Sequence, residues 1–425
     1  MALQKRPLAI DLFAGCGGMS LGLEAAGFDI AGAVEIDPIH ALVHHFNFPY
    51  GVTLCEDISQ LNSDDLKAKI AKKGFKGEID LIAGGPPCQG FSLMGKRQID
   101  DPRNQLVFEY LRIIKELQPK YFIFENVAGI AAGEHKQFLI ELIDQFEKIG
   151  YQVTKPFQVL DASLYSAPQK RKRLFLIGNR QDVKPIQYPQ FSSNAVKSNR
   201  PLTTVAEAIA DLAKIPVYQG RDQGISMDKL DYSGFRKNFS PQNLAAFKLC
   251  HRRSFNNQVW GHLGSKHTAV STQRFAITSP GKIEKVSRFL RLDPAGLSNT
   301  LRAGTPSDKG AHTAPRPIHY QEPRCISIRE AARLHTFPDW FQFHRTIWHG
   351  FREIGNAVIP ILAKQIGDEI IQSMEINTSR LKIKEIQPPN ELILSYKMGE
   401  ACKYWQISPD TIPKRRKKEV NALMF

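Results

Sequence analysis

Cysteine is scarce in this chain, and no two cysteines stand close together. The six (Cys16, Cys55, Cys88, Cys250, Cys325, Cys402) include no pair at two-residue spacing, which argues against a disulfide framework and against a zinc ribbon; no metal site is expected. Long apolar runs are missing as well. None approaches the roughly 18 uninterrupted residues that a bilayer span requires, so no membrane association is expected. The N-terminal stretch lacks the form of a cleaved leader, because its apolar run is broken at Asp11 and enters a glycine turn; a cytoplasmic location is the expectation. Acidic residues are short in one half only. Up to residue 180 the 21 basic and 21 acidic residues balance, leaving 36 of the 57 basic but only 21 of the 42 acidic residues beyond it, for a formal charge of +15 overall. A surplus confined to the second part suits a polyanion, and a neutral first part suits a catalytic module. The run Lys414 to Lys418 is read more weakly, as a solvated tail or a backbone-binding arm.

What is present is an ordinary globular composition, 42% hydrophobic and 23% charged over 425 residues, with a pattern that changes along the chain. From residue 8 to 180, short β-rich runs at 8–13, 30–35, 79–83, 121–124, 151–159 and 173–177 alternate with helical periods at 105–117 and 134–149. Pro119 and Gly150 end those helices. Such alternation predicts an α/β fold with a mostly parallel sheet covered on both faces. Beyond 180 the alternation stops. An irregular, basic module is expected to about residue 320, with one helix near 204–212. Helical periodicity resumes at 327–335, where Ser327 and Glu330 form a capping box, and at 361–374 after Pro360; these helices are expected to return to the first module. The expected domains are 1–180 for catalysis and cofactor, 181–322 for target recognition, 323–375 for the return, and 376–425 as a basic extension.

Asp11-Leu-Phe-Ala-Gly15-Cys16-Gly17-Gly18 follows a strand and opens a helix, where α/β sheets bind nucleotides. Ser20 stands where the dinucleotide fingerprint demands its third glycine, so a pyrophosphate does not suit the turn. Glu35 lies twenty residues beyond Gly15, at a strand end, where a carboxylate can accept both hydroxyls of a ribose. Asp57 is a further acidic position, suited to the exocyclic amine of adenine. A ribose without phosphate points to an adenosine conjugate, best matched by S-adenosylmethionine.

Gly84-Gly85-Pro86-Pro87-Cys88-Gln89-Gly90-Phe91-Ser92 follows another buried strand. Two prolines fix the backbone before Cys88 and the glycines permit close approach to a ligand, a setting a merely packed cysteine does not need. Cationic neighbours would activate its thiolate, and Gln169-Lys-Arg171-Lys-Arg173 supplies them, with the two arginines expected on one strand face. Phe124-Glu125-Asn126-Val127 ends a strand with an acid able to protonate a ring nitrogen. For each feature a bland reading exists: glycine turns that only turn, a carboxylate that only caps, an edge strand that is merely solvated.

Together these segments resemble the DNA (cytosine-5)-methyltransferase family, bacterial restriction-modification type. The ordered motifs continue in Arg324-Cys-Ile-Ser-Ile-Arg-Glu-Ala-Ala-Arg-Leu-His-Thr-Phe-Pro338 and Gly355-Asn-Ala-Val-Ile-Pro360, so the resemblance spans roughly residues 8–372. It implies a Rossmann-like domain with a smaller recognition domain across a DNA cleft. By position, Cys88 attacks C6 of a flipped-out cytosine, Glu125 engages N3, Arg171 and Arg173 orient base and thiolate, and Asn126 supports the loop bearing Cys88. Phe13, Gly15, Cys16, Gly17, Gly18, Glu35, Ile36, Asp57, Ile58, Pro87, Asn356, Ala357 and Val358 match the positions that bind S-adenosylmethionine. Gln89, Ser92, Arg252, Arg253, Arg302, Lys309 and Arg316, with the Trp260-Gly-His262 stretch, are the candidate contacts to double-stranded DNA. The implied protein is a monomer with a cognate restriction endonuclease or a solitary methylase. An RNA methylase of the same fold and a catalytically dead DNA-binding regulator are the competing readings. Two departures from the family pattern stand out: tyrosine in His319-Tyr320, and a tail from about residue 376 with no counterpart in the shared core.

Overall fold

A computed structural model describes residues 4–87, 105–132, 135–191, 201, 203–213, 215–220, 222–226, 258–304, 316–381 and 386–409. Its centre is one sheet of eight strands: β1 (Leu8–Leu12), β2 (Asp29–Glu35), β3 (Val52–Cys55), β4 (Leu81–Gly84), β5 (Tyr121–Val127), β6 (Tyr151–Val153), β7 (Gln158–Asp161) and β8 (Lys172–Arg180). The order is β3-β2-β1-β4-β5-β8-β6, with β7 beside β8. Strands β1 to β5 are parallel; β8 runs antiparallel to β5, and β6 and β7 run antiparallel to β8.

Registers pair Leu12 with Val34 and Gly84, Gly84 with Phe124, and Glu35 with Cys55, so the carboxyl ends of the five parallel strands form one edge. Because β8 is reversed, its first residues reach that same edge, where Arg173 pairs with Val127 and Phe175 with Glu125.

Both sheet faces are buried, and side chains alternate between them. Ile10, Phe122, Phe124, Leu174 and Leu176 pack under α3 (Ser63–Lys72), α4 (Gln105–Leu117) and α5 (His135–Lys148), where the rings of Phe122 and Phe146 stack at 4.2 Å. Ala9, Tyr121, Ile123, Phe175 and Ile177 face the other layer, α1 (Gly18–Ala26) and α2 (Pro38–Asn47) with helices from the far end of the chain.

Among the described residues, the later part adds α6 (Val205–Ile209), the short pair β9 (Ile225–Ser226) and β10 (Gln258–Val259), and α7 (Ala269–Ile277). There follow α8 (Ile328–Leu334), opened by the Ser327–Glu330 capping box, α9 (Ile347–Asn356), α10 (Pro360–Ser373) and α11 (Met398–Trp405). Helix α10 lies along α1, closing the first module, Gly22 facing Pro360 and Ala26 facing Gly367. Gly18, Gly22 and Ala26 form the seam on α1: a methyl group on Gly22 would stand 2.3 Å from the Pro360 carbonyl and 2.6 Å from the Lys364 nitrogen. Backbone cannot yield there, so Gly22→Ala is expected to cost about 2–3 kcal/mol, as overpacking does. Urea denaturation checks this; a loss below about 0.5 kcal/mol would show that the two helices can separate freely.

Several expectations change. The run 151–159 is two strands, because Pro156 has no N–H to give a ladder and the chain shifts from one part of β8 to another. Strand β1 stops at Leu12, since Phe13 takes φ +60° to enter the turn. The expected mostly parallel sheet holds but for one strand: β8 runs against the other seven, so its pairings with β5, β6 and β7 are antiparallel. Helix 204–212 is shorter, Val205–Ile209 behind the Thr204 cap.

Candidate active site

The glycine turn leaves β1 through three left-handed residues, Phe13 (φ +60°), Gly15 (φ +55°) and Gly17 (φ +104°). At Gly17 a side chain would meet the Phe48 ring at 2.5 Å, and on Gly18 it would strike the Val358 carbonyl at 2.3 Å. Glu35 ties this turn to the next element. One carboxylate oxygen accepts the Gly15 N–H at 2.8 Å, and the other accepts the Asp37 N–H at 2.9 Å. Asp37 in turn caps α2, its carboxylate accepting the N–H groups of Ile39 and His40. Burial pushes the Glu35 carboxyl up, with His40 pulling the other way.

Ile36 and Asp57 are half-buried beside it and Ile58 is buried; Asp57 accepts both the Ser59 N–H and hydroxyl at 2.9 Å. Cys16 turns inward, its thiol 3.6 Å from the Glu353 carbonyl, with burial pushing its pKa well up. Below the turn lies a network that sequence reasoning missed. Asp11 accepts the Ser20 N–H and hydroxyl, Ser20 meets His44 at 2.9 Å, and His44 meets Thr53 at 3.2 Å. Burial raises the Asp11 carboxyl to about 7, the Ser20 hydrogen bonds opposing. A buried acid inside a strand was the available signal.

Gly85, Pro86 and Pro87 leave β4 beside the end of β5. A side chain on Gly85 would stand 3.0 Å from a Glu125 carboxylate oxygen, so glycine is what lets this loop lie against the acid. Asn126 donates to the Pro86 carbonyl at 3.1 Å, two residues before Cys88. Cys88 itself lies outside the described residues, as do Gln89, Ser92, Arg252, Arg253 and Lys309. Pro87, the last described residue of the loop, is exposed.

Glu125 is buried, and the Arg173 guanidinium pairs with it at 2.9 Å, a diagonal contact across β5 and β8. Burial raises the Glu125 carboxyl; Arg173 and then Arg171 pull it back down. Arg171 has other work. It sits one residue ahead of β8, fully buried, and donates to the carbonyls of Leu301 (2.9 Å), Gly355 (3.2 Å) and Ala357 (2.9 Å). Its Nε has no hydrogen-bond partner among the described residues, and burial lowers its pKa to about 9. Both arginines act electrostatically on Glu125, but Arg173 pairs with it directly while Arg171 bonds to backbone carbonyls.

Ala357 is buried, Val358 half-buried and Asn356 exposed. The Ala357 carbonyl also meets His335 at 3.1 Å, whose other ring nitrogen meets Gln169; Gln169 accepts the Leu301 N–H. The strip 298–301 thus lines the start of β8, and exposed Arg302 emerges next to Gly355, where a side chain would collide with the Arg302 carbonyl carbon at 2.3 Å.

Two expected DNA contacts are corrected. Arg316 lies over the Phe351 ring at 4.2 Å and donates to Ser265, so internal partners hold it. In the Trp260-Gly-His262 stretch, His262 is buried against Ser327 and the Ile215 carbonyl, and Trp260 is covered by Arg345 at 4.0 Å. Tyr320, the departure before Arg324, stacks on His319 at 4.5 Å and disturbs nothing nearby. Among the described residues no group of side chains could hold a metal ion, and no helix is long and apolar enough to cross a membrane.

A sheet of seven parallel strands with one, β8, reversed, its candidate site gathered at the carboxyl edge, is the Rossmann-like fold of a methyltransferase. The model of the C-5 cytosine-specific DNA methylase family matches residues 8–372, and the chain belongs to that family. It is 43% identical to Type II methyltransferase M.XorII of Xanthomonas oryzae over 96% of this chain and 95% of the relative. Identity to Type II methyltransferase M.DdeI of Desulfomicrobium norvegicum is 33%, over 89% and 92%. A crystal structure described as a DNA modification methyltransferase encoded within an E. coli prophage superimposes with a TM-score of 0.66 at 34% identity, covering 87% of this chain and 99% of that one. The Dnmt2 methyltransferase of S. pombe shares the fold, with a TM-score of 0.53 at 17% identity over 87% of this chain and all of the other.

Proposed function

We propose that this DNA cytosine-5 methyltransferase modifies one cytosine within a short duplex sequence by covalent catalysis, as the modification partner of a restriction endonuclease. The observation that carries the reading is the pairing of Glu125 with Arg173 against the Gly85–Pro87 loop that leads into Cys88. The names of the Type II relatives support the restriction-modification setting.

C5 of cytosine is a poor nucleophile and is shielded inside a duplex, so the base must leave the stack, at a cost of roughly a few kcal/mol, before any residue can reach it. The Cys88 thiolate adds to C6 while Glu125, protonated, gives its proton to N3, and the electron pair collects at C5. S-adenosylmethionine supplies the electrophilic methyl group. Loss of the C5 proton to solvent then lets the C6–S bond break, returning Cys88 as thiolate, and N3 gives its proton back to Glu125, which restores the neutral ring and the acid.

The residues of the glycine turn fit that cofactor. The Glu35 carboxylate, with only two N–H donors on its two oxygens, retains acceptor capacity for ribose hydroxyls, and no third glycine opens a place for a pyrophosphate. Exposed Arg302 beside the Gly355 turn is the described residue best placed to reach DNA phosphate.

Incubation with labelled S-adenosylmethionine and unmethylated genomic DNA, followed by bisulfite mapping, tests the reading. Methyl groups on C5 within one recurring sequence are expected; label entering RNA and not DNA refutes it. Titration gives a second test. Glu125 is needed protonated, and its pKa is held up by burial and restrained by Arg173, so activity falls as pH rises through it. Removing the cation in Arg173→Gln lifts that pKa further, and the alkaline limb of kcat/KM is expected to move to higher pH. A downward move would assign that limb to another group.

A further inference from the structure

The family match stops at residue 372, yet the chain beyond it packs against the cofactor edge. The turn Glu391–Ser395 and helix α11 lie on α2, the helix that Asp37 caps and Pro38 begins. Trp405 donates its indole N–H to the Pro38 carbonyl at 3.0 Å. The His45 ring meets Trp405 edge-on at 5.9 Å and Tyr404 at 6.1 Å. Further back, the Leu394 carbonyl accepts the Arg345 N–H at 2.8 Å and the Tyr396 carbonyl meets His344 at 3.0 Å. The His344 N–H in turn binds the Glu353 carboxylate, and the Glu353 carbonyl faces Cys16 of the glycine turn. The tail therefore grips both ends of the same pocket wall.

The Pro38 carbonyl is one residue from Asp37 and three from Glu35. Proline fixes φ at the first helical position, and the indole N–H fixes the orientation of its carbonyl. A tryptophan does this well because its large ring anchors by area while its one donor sets direction. We propose that Trp405 is a positioning residue for the cofactor: the segment 386–409 holds the Glu35–Asp37 turn in the geometry that receives the ribose. This rests on the assignment of S-adenosylmethionine to that turn.

The test uses the full chain with Trp405→Phe, which loses the N–H and part of the ring, and Trp405→Ala, which loses the aromatic system altogether. Calorimetry gives S-adenosylmethionine binding, steady-state kinetics give KM and kcat, and a melting curve accompanies each. Trp405→Phe is expected to weaken cofactor binding and raise its KM roughly three- to tenfold, the worth of one hydrogen bond. Trp405→Ala should exceed roughly tenfold. In both, kcat at saturating cofactor and DNA affinity stay within about twofold of the parent, the split expected of uniform binding. A lowered melting temperature with unchanged cofactor KM in Trp405→Phe makes the contact structural and overturns the proposal, whether or not Trp405→Ala folds. Absence of cofactor binding by the unsubstituted chain overturns the functional reading and this inference together, so the two failures are distinct.

Discussion

Cys88→Ser is expected to bind S-adenosylmethionine and duplex DNA as the parent does and to lose at least about four orders of magnitude in turnover, the scale on which covalent catalysts lose activity when the nucleophile is removed. A serine hydroxyl is almost entirely protonated at neutral pH, and the acid described at this edge, Glu125, is itself held towards its protonated form by burial and so is not poised to take its proton. The adduct can be caught. With fluorine in place of hydrogen at C5 of the target cytosine there is no proton to lose after methyl transfer, so the C6–S bond cannot break. The parent should therefore form a complex with such DNA that survives denaturing electrophoresis, and Cys88→Ser should not. Substantial turnover by Cys88→Ser would refute the covalent route.

The second large effect separates two arginines that stand two residues apart. Arg171→Met keeps an apolar stem but leaves the carbonyls of Leu301 and Gly355 without this donor, and that of Ala357 with His335 alone. Each buried acceptor so orphaned costs about 1–3 kcal/mol, and relief from burying a guanidinium whose Nε is unpartnered offsets part of this. A net loss of about 3–5 kcal/mol is expected in denaturant titration, enough to threaten the fold. Arg173→Gln is expected to leave stability within about 1 kcal/mol, because Glu125 can answer the loss of its partner by holding a proton. Its kcat/KM should fall roughly a hundredfold instead. Equal stability losses in the two variants would mean that Arg173 is also part of the scaffold.

The difference between these arginines was not legible in the sequence. Alternation puts residues 171 and 173 on one face but does not say that one meets an acid and the other backbone carbonyls. What draws Arg171 inward is a set of carbonyls 130 to 186 positions away, which no local pattern encodes. The apolar strands β1, β2, β4 and β5 were legible because both faces are buried, leaving continuous runs. Strand β3 was not: Val52–Cys55 is four residues long and half-buried in the middle. Helix α9 was missed too, its sequence Ile-Trp-His-Gly-Phe-Arg-Glu-Ile-Gly-Asn carrying two glycines and no side-chain cap. The turn at Gly15, the acid at Glu35, the loop before Cys88 and the pair Glu125–Asn126 were legible because chemistry there demands rare combinations, such as prolines flanked by glycines. Buried charge among the recognition candidates was the opposite case. Arg316 and His262 look like free surface residues in a basic region, and only packing shows that His262 is buried and that Phe351 and Ser265 hold Arg316.

The seam between α1 and α10 has a consequence for how such proteins diversify. Gln4 pairs with the Arg380–Leu381 backbone, so the catalytic module is a closed loop of chain whose two ends meet. The long excursion after Arg180 packs back onto this body, its Val205, Ile209, Leu263, Leu292 and Leu301 sharing the core with the sheet, and lengthening such an excursion between those contacts costs only about 0.6 kcal/mol per doubling. Exchange of this segment is therefore expected to leave the sheet edge standing where a replacement keeps those apolar contacts, a partner for Arg333 such as Asp211, and a strip equivalent to 298–301, which Arg171 and Gln169 grip.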